Sequence, residues 1–142
     1  MGQWSNCQSY YRFMGEDKMS GKENRKELSL DDLTSRYFGR MNDPSSSAYI
    51  KGLCGDEMEF YLVIKDGVIE DIKFYTEGCG YTLACGAITA HLAYRKAIDD
   101  ALWISPRLIK ESLKGLPEEH KHCCILAVST LHRAIADYLL KA

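Results

Sequence analysis

Residues 57 to 75 restrict the fold of this chain more than any other stretch. Phe60, Leu62 and Ile64 alternate, Asp66-Gly67 follows, and Val68, Ile69, Ile72 and Phe74 resume the apolar pattern. A period of two marks a strand with one buried face. Asp-Gly suits a two-residue type I' turn, in which both central residues need positive φ. The stretch is therefore expected to form an antiparallel hairpin. A tight turn sets the outer ends of its strands side by side. That places Cys54-Gly55-Asp56, just before the first strand, next to Gly78-Cys79-Gly80, just after the second.

Beyond Gly80, the residues Leu83, Ala84, Ala87, Ile88 and Leu92 follow helical spacing. Cys79 thus stands at a helix N-terminus, where unpaired N–H groups and the helix dipole favour thiolate. Gly78 and Gly80 are expected to allow positive φ and close approach of a bulky ligand. An earlier helix starts at Ser29, capped reciprocally with Asp32, with Leu28 and Leu33 as a hydrophobic staple and Leu30, Leu33 and Tyr37 on one face. It should stop near Gly39. Asn42 to Ser47 reads as a loop, and Ser47 to Lys51 as a short extra strand. Ser105-Pro106 opens a short helix through Leu113, closed by Gly115. A last helix carries the buried stripe Cys124, Ala127, Val128, Leu131, Ile135 and Tyr138. Cys123 falls about 100° off that stripe and is expected to be exposed.

These elements make an α+β fold, a small antiparallel sheet of a hairpin plus a short extra strand packed against several helices. We assign it to one domain over residues 28–142, preceded by a mobile arm over residues 1–27 in which no period persists. A net charge of -2 gives no reason to expect nucleic acid or an anionic membrane as partner. No run approaches the roughly 18 consecutive apolar residues of a spanning helix, and the N-terminus lacks the apolar core of a secretory signal. The expected location is the cytoplasm, so the six cysteines read as reduced thiols kept for metal or sulfur chemistry.

Cys54, Asp56, Cys79, His122 and Cys123 form a soft donor set suited to iron, zinc or an iron-sulfur cluster and unsuited to calcium or magnesium. Asp56 is its hardest and most labile member, which would ease release of a bound cluster. His120 is an alternative ligand. Cys85 and Cys124 read as core thiols, Cys7 as incidental, and His91 and His132 as surface residues. A redox pair of adjacent Cys123 and Cys124 would form only with strain.

In combination, several motifs carry a family resemblance: Cys54-Gly55-Asp56 leading into a strand, Ile69-Glu70-Asp71-Ile72-Lys73-Phe74 ahead of Gly78-Cys79-Gly80, and Gly115-Leu116-Pro117 followed by His122-Cys123. The chain resembles the IscU and NifU N-terminal type of iron-sulfur cluster assembly scaffold, a SufE/NifU fold. The resemblance implies a scaffold rather than an enzyme, with Cys54, Asp56, Cys79, His122 and Cys123 around the assembly site. It implies a cysteine desulfurase (IscS/NifS-like) as sulfur donor, iron, a transient [2Fe-2S] cluster and acceptor apoproteins, with Cys123 accepting persulfide sulfur. A monomer or weak homo-oligomer is expected. The family's Leu-Pro-Pro-Val-Lys chaperone motif appears here as Leu116-Pro117-Glu118-Glu119-His120, which argues against recognition by the dedicated Hsp70. The alternative function is a zinc-binding structural or regulatory module using the same ligands; Zn2+ in isolated protein would fit either reading.

Overall fold

A computed structural model describes residues 29–52, 55–113 and 116–141. The hairpin forms as the alternation requires, from β2 (Glu57–Lys65) and β3 (Val68–Thr76), with β1 (Ser46–Lys51) antiparallel on the far side of β2. Lys65 pairs with Val68, and the two residues between them, Asp66 and Gly67, have φ of 54° and 75° as a type I' turn needs. Val63 faces Asp71 while Ile64 faces Ile69, so Glu70 is an extra residue in β3. This bulge lets Ile69 and Ile72, three apart in sequence, both enter the core. The extra strand begins at Ser46, one residue earlier than expected, and buries that serine.

The core lies on one face of the sheet. Met58, Phe60, Leu62, Ile69, Ile72 and Phe74 are fully buried there, under α2 (Gly80–Ala93) against β3 and α5 (Lys121–Lys141) against β1 and β2. Helix α1 (Leu30–Tyr37) packs on α2 and carries the expected capping box: Asp32 N–H donates to Ser29 Oγ at 3.0 Å, and Ser29 N–H to Asp32 Oδ2 at 3.3 Å. Leu28 of the expected staple lies outside the described residues. Helix α4 (Pro106–Ser112) starts at the expected cap, Ser105 Oγ accepting from Leu108 N–H. Its expected closing residue, Gly115, also lies outside the described residues.

One element is not foreseen in the sequence, and one expectation is corrected. A short helix, α3 (Ile98–Ala101), follows α2, because the chain after Tyr94 turns back onto the hairpin. Arg95 N–H donates to the Ile69 carbonyl and Ile98 N–H to the Gly67 carbonyl. His91 is not a surface residue: its ring is half-buried on α2, with Nδ1 2.8 Å from the Tyr37 hydroxyl of α1. Burial, with Lys96 nearby, pushes the His91 pKa down to about 4, so the ring meets the tyrosine hydroxyl in its neutral form. Among the described residues, one helical stretch, Glu118–Lys141, is long and apolar enough by composition to cross a membrane, and half of that window is buried inside the fold.

Candidate metal centre

The site forms where three chain segments meet at the open end of the hairpin. Thr76, the last residue of β3, donates its hydroxyl to the Glu57 carbonyl at 2.6 Å and accepts from Gly78 N–H at 3.0 Å. This pair of bonds fastens the chain leaving β3 to the start of β2, so Asp56 and Cys79 are held near each other. Gly78 is small because it must be. A Cβ there would lie 3.0 Å from the Asp56 carboxyl and 3.0 Å from Thr82 Cβ. The expected positive φ falls elsewhere: neither Gly78 nor Gly80 has it, whereas Gly55, beside Asp56, has φ of 93°. There Gly55 N–H bonds to the Gly52 carbonyl, a tight turn that swings Asp56 toward α2.

Cys79 is the N-cap of α2 and is exposed. Burial pushes its thiol up, but the Thr82 hydroxyl and the N–H groups of Thr82 and Tyr81 pull it down and prevail, leaving it below the ordinary thiol value. Cys123 sits in the first turn of α5 and is fully buried, contrary to the expectation from the stripe. The reason is geometric: α5 is covered by the sheet and by α2 together, so its buried sector is wider than one stripe and includes Cys123, Leu126, Thr130 and Ala134. Burial pushes the Cys123 thiol up to about 11; the Thr82 hydroxyl lowers it, while Cys79 and Asp56 raise it further. A cation entering this group of incipient anions would relieve that repulsion.

At the centre stands Thr82, which sequence reasoning missed. Its Oγ1 donates to Asp56 Oδ2 at 2.6 Å and lies 3.3 Å from Cys123 Sγ and 3.6 Å from Cys79 Sγ. One hydroxyl proton cannot serve three neighbours. The shortest bond, to the carboxylate, takes it, and the amide N–H groups are the lasting part of the pull on Cys79. The available signal was spacing: Thr82 is three residues after the N-cap, on the same helix face as Cys79.

The structure brings together Asp56, Cys79, His122 and Cys123; Cys54 lies outside the described residues. Two overlapping groups have donor atoms all within 4.8 Å of one another, Asp56 with His122 and Cys123, and Cys79 with His120 and Cys123. His122 Nε2 is 3.8 Å from Cys123 Sγ. His120 is thus drawn in as an additional donor. It belongs to a 3-10 turn (Glu118–His120), its ring stacks on Tyr81 with centroids 4.1 Å apart, and its buried Nδ1 has no hydrogen-bond partner among the described residues. Such an orphaned nitrogen is costly and is what a ligand awaiting a metal looks like. Sulfur and imidazole donors with one carboxylate fit iron or zinc.

Cys85 and Cys124 are core thiols, as their stripes require, at 0% and 1% exposure. Their sulfurs are 3.7 Å apart. The hydrogen bond with Cys124, and then burial, push the Cys85 thiol well up, while the same bond lowers Cys124.

Comparison with known proteins finds relatives over most of the chain. Over 107 residues, 75% of this chain and 70% of the relative, the sequence is 39% identical to the iron-sulfur cluster assembly scaffold protein IscU 1 of Archaeoglobus fulgidus. It is 41% identical over 126 residues, 87% of this chain and 80% of the relative, to the iron-sulfur cluster assembly scaffold protein IscU of Aquifex aeolicus. The fold is similar to the N-terminal part of a nitrogen-fixing NifU-like protein from Brucella abortus, with a TM-score of 0.62 at 16% identity over 80% of this chain and 93% of that one. The family model of the NifU-like N-terminal domain matches residues 34–142, and the chain belongs to that family.

Proposed function

We propose that this protein is a scaffold on which a transient [2Fe-2S] cluster is assembled from iron and desulfurase-derived sulfur and then passed to acceptor apoproteins. The observation that carries this reading is the convergence of Asp56, Cys79, His122 and Cys123 from three separate segments around Thr82. Cys54, two residues before Asp56 in sequence, is the further thiolate of the set. The relatives named as cluster assembly scaffolds support it. In this reading the cluster is cargo. The protein supplies ligands and orientation and is not an enzyme.

Each residue has a part. Cys79, at a helix N-terminus and on the surface, is the ligand that an incoming iron meets first. Cys123 accepts persulfide sulfur from an IscS/NifS-like cysteine desulfurase and then holds the cluster from the protected side. Asp56 is the weakest ligand and turns back to Thr82 when the cluster leaves. His122, with His120 behind it, completes the set. The protein works in the cytoplasm as a monomer or weak homo-oligomer. The Glu118–His120 segment is closed into a turn with His120 on Tyr81, which supports the view that it does not present a motif for the dedicated Hsp70.

Anaerobic reconstitution with ferrous iron, cysteine and a desulfurase tests the reading by absorption and Mössbauer spectra. Wild type is expected to acquire a [2Fe-2S] spectrum, and Cys54→Ser, Cys79→Ser and Cys123→Ser each to lose most of it. A wild type that forms no cluster, or three variants that all assemble the cluster as wild type does, contradicts the reading.

A further inference from the structure

The buried Cys85 and Cys124 thiols take no part in holding the cluster described above, yet the fold brings their sulfurs to 3.7 Å. They lie directly behind the assembly site. Helix α2 presents Cys79, Thr82 and Cys85 at steps of three residues toward α5, which answers with Cys123 and Cys124. Thr82 meets Cys123 on one rung and Cys85 meets Cys124 on the next. The rungs are about 4.5 Å apart along α2, three residues of helical rise. A persulfide on Cys123 extends its reach by an S–S bond of about 2 Å, and Cys124 is its neighbour on α5.

We propose that Cys85 and Cys124 form an internal dithiol that reduces the persulfide sulfur on Cys123 to the sulfide a cluster needs. This rests on the scaffold reading, in which sulfur arrives on Cys123 at the persulfide level. In the first step Cys124 attacks the outer sulfur: Cys123–S–SH and Cys124–SH become Cys123–SH and Cys124–S–SH, a transfer with no net redox change. In the second, Cys85 attacks the inner sulfur of Cys124: Cys124–S–SH and Cys85–SH become the Cys85–Cys124 disulfide and hydrogen sulfide. The two thiols give up two electrons, the sulfane sulfur gains them, and both protons leave on the hydrogen sulfide. The S–S bond forms across the existing 3.7 Å approach, so no strained bond between the adjacent Cys123 and Cys124 is required. An external dithiol reductant then restores the pair.

The test is a single turnover of the full chain, anaerobic and free of reductant and iron, loaded with one equivalent of cysteine persulfide. Released sulfide, intact mass and a disulfide map of the digested protein are read together. Wild type is expected to release one sulfide per sulfur loaded and to become two hydrogens lighter, with the bond mapped to Cys85 and Cys124. Cys85→Ala should stay one sulfur atom heavier, with the sulfur on Cys124 and sulfide release lost. Cys124→Ala should keep it on Cys123. Should either variant fold poorly, the wild-type stoichiometry and map decide by themselves. Wild type that retains the sulfur on Cys123, or releases sulfide while a different cysteine pair is oxidised, overturns the inference and leaves the scaffold reading in place. Wild type that never takes sulfur on Cys123 overturns both.

Discussion

In the proposed function, Thr82 is the residue that lets a set of ligands form a site that can empty. Its hydroxyl gives the half-buried Asp56 carboxylate a partner at 2.6 Å in the absence of iron. On the proposed reading, release of the cluster is then an exchange of one partner for another. A hydrogen bond to a charged group contributes about 1.5–3 kcal/mol, which sets the expected size of the effect. Thr82→Val keeps the shape and removes the competing donor. Loss of the reconstituted cluster to an iron chelator is expected to slow by roughly tenfold or more. Unchanged or faster loss would show that Asp56 does not use Thr82 in this way.

The decisive contact between elements is that of α2 with the sheet, and it depends on Gly86. A Cβ at that position would lie 2.6 Å from the Phe74 ring and 3.1 Å from Met58 Cε. Both side chains are fully buried and have no room to yield. Gly86→Ala gains about 0.5–1 kcal/mol in helix preference and loses about 1–3 kcal/mol to overpacking, so the overpacking prevails. A net loss of up to about 2.5 kcal/mol is expected in chemical denaturation; a variant more stable than wild type would mean that α2 does not press on Phe74. The sequence made the hairpin, both caps and the last helix legible because each has a local signal: alternation, Asp-Gly, Ser with Asp, and Ser before Pro. It also placed Asp56 beside Cys79, through the hairpin register. It missed what depends on elements distant in sequence. Helix α3 forms because the chain turns back onto β3, and Cys123 is buried because α5 is covered from two sides at once. No spacing in α5 alone reports the second cover. Thr82 became visible as the hub only when α5 and the Asp56 turn were brought against α2. The bulge at Glu70 was legible only in part, in the three-residue step from Ile69 to Ile72.

At the scale of the whole fold, the described residues offer a site with an exposed side and a buried one. Cys79 faces solvent, Cys123 faces the core, and Asp56 and His122 are half-buried between them. A structural zinc site would gain from holding its ion permanently. A scaffold must fill and empty, and an exposed thiolate with a carboxylate that has somewhere else to go serves that purpose. The most direct test of this claim is therefore transfer. Wild-type protein and Asp56→Ala are loaded anaerobically with a [2Fe-2S] cluster and mixed with an apo-ferredoxin, and the acceptor's spectrum is followed with time. Wild type is expected to deliver its cluster to the acceptor intact, and Asp56→Ala to hold its cluster longer. A wild-type cluster that stays in place, or an Asp56→Ala variant that gives its cluster up faster than wild type, would contradict the account.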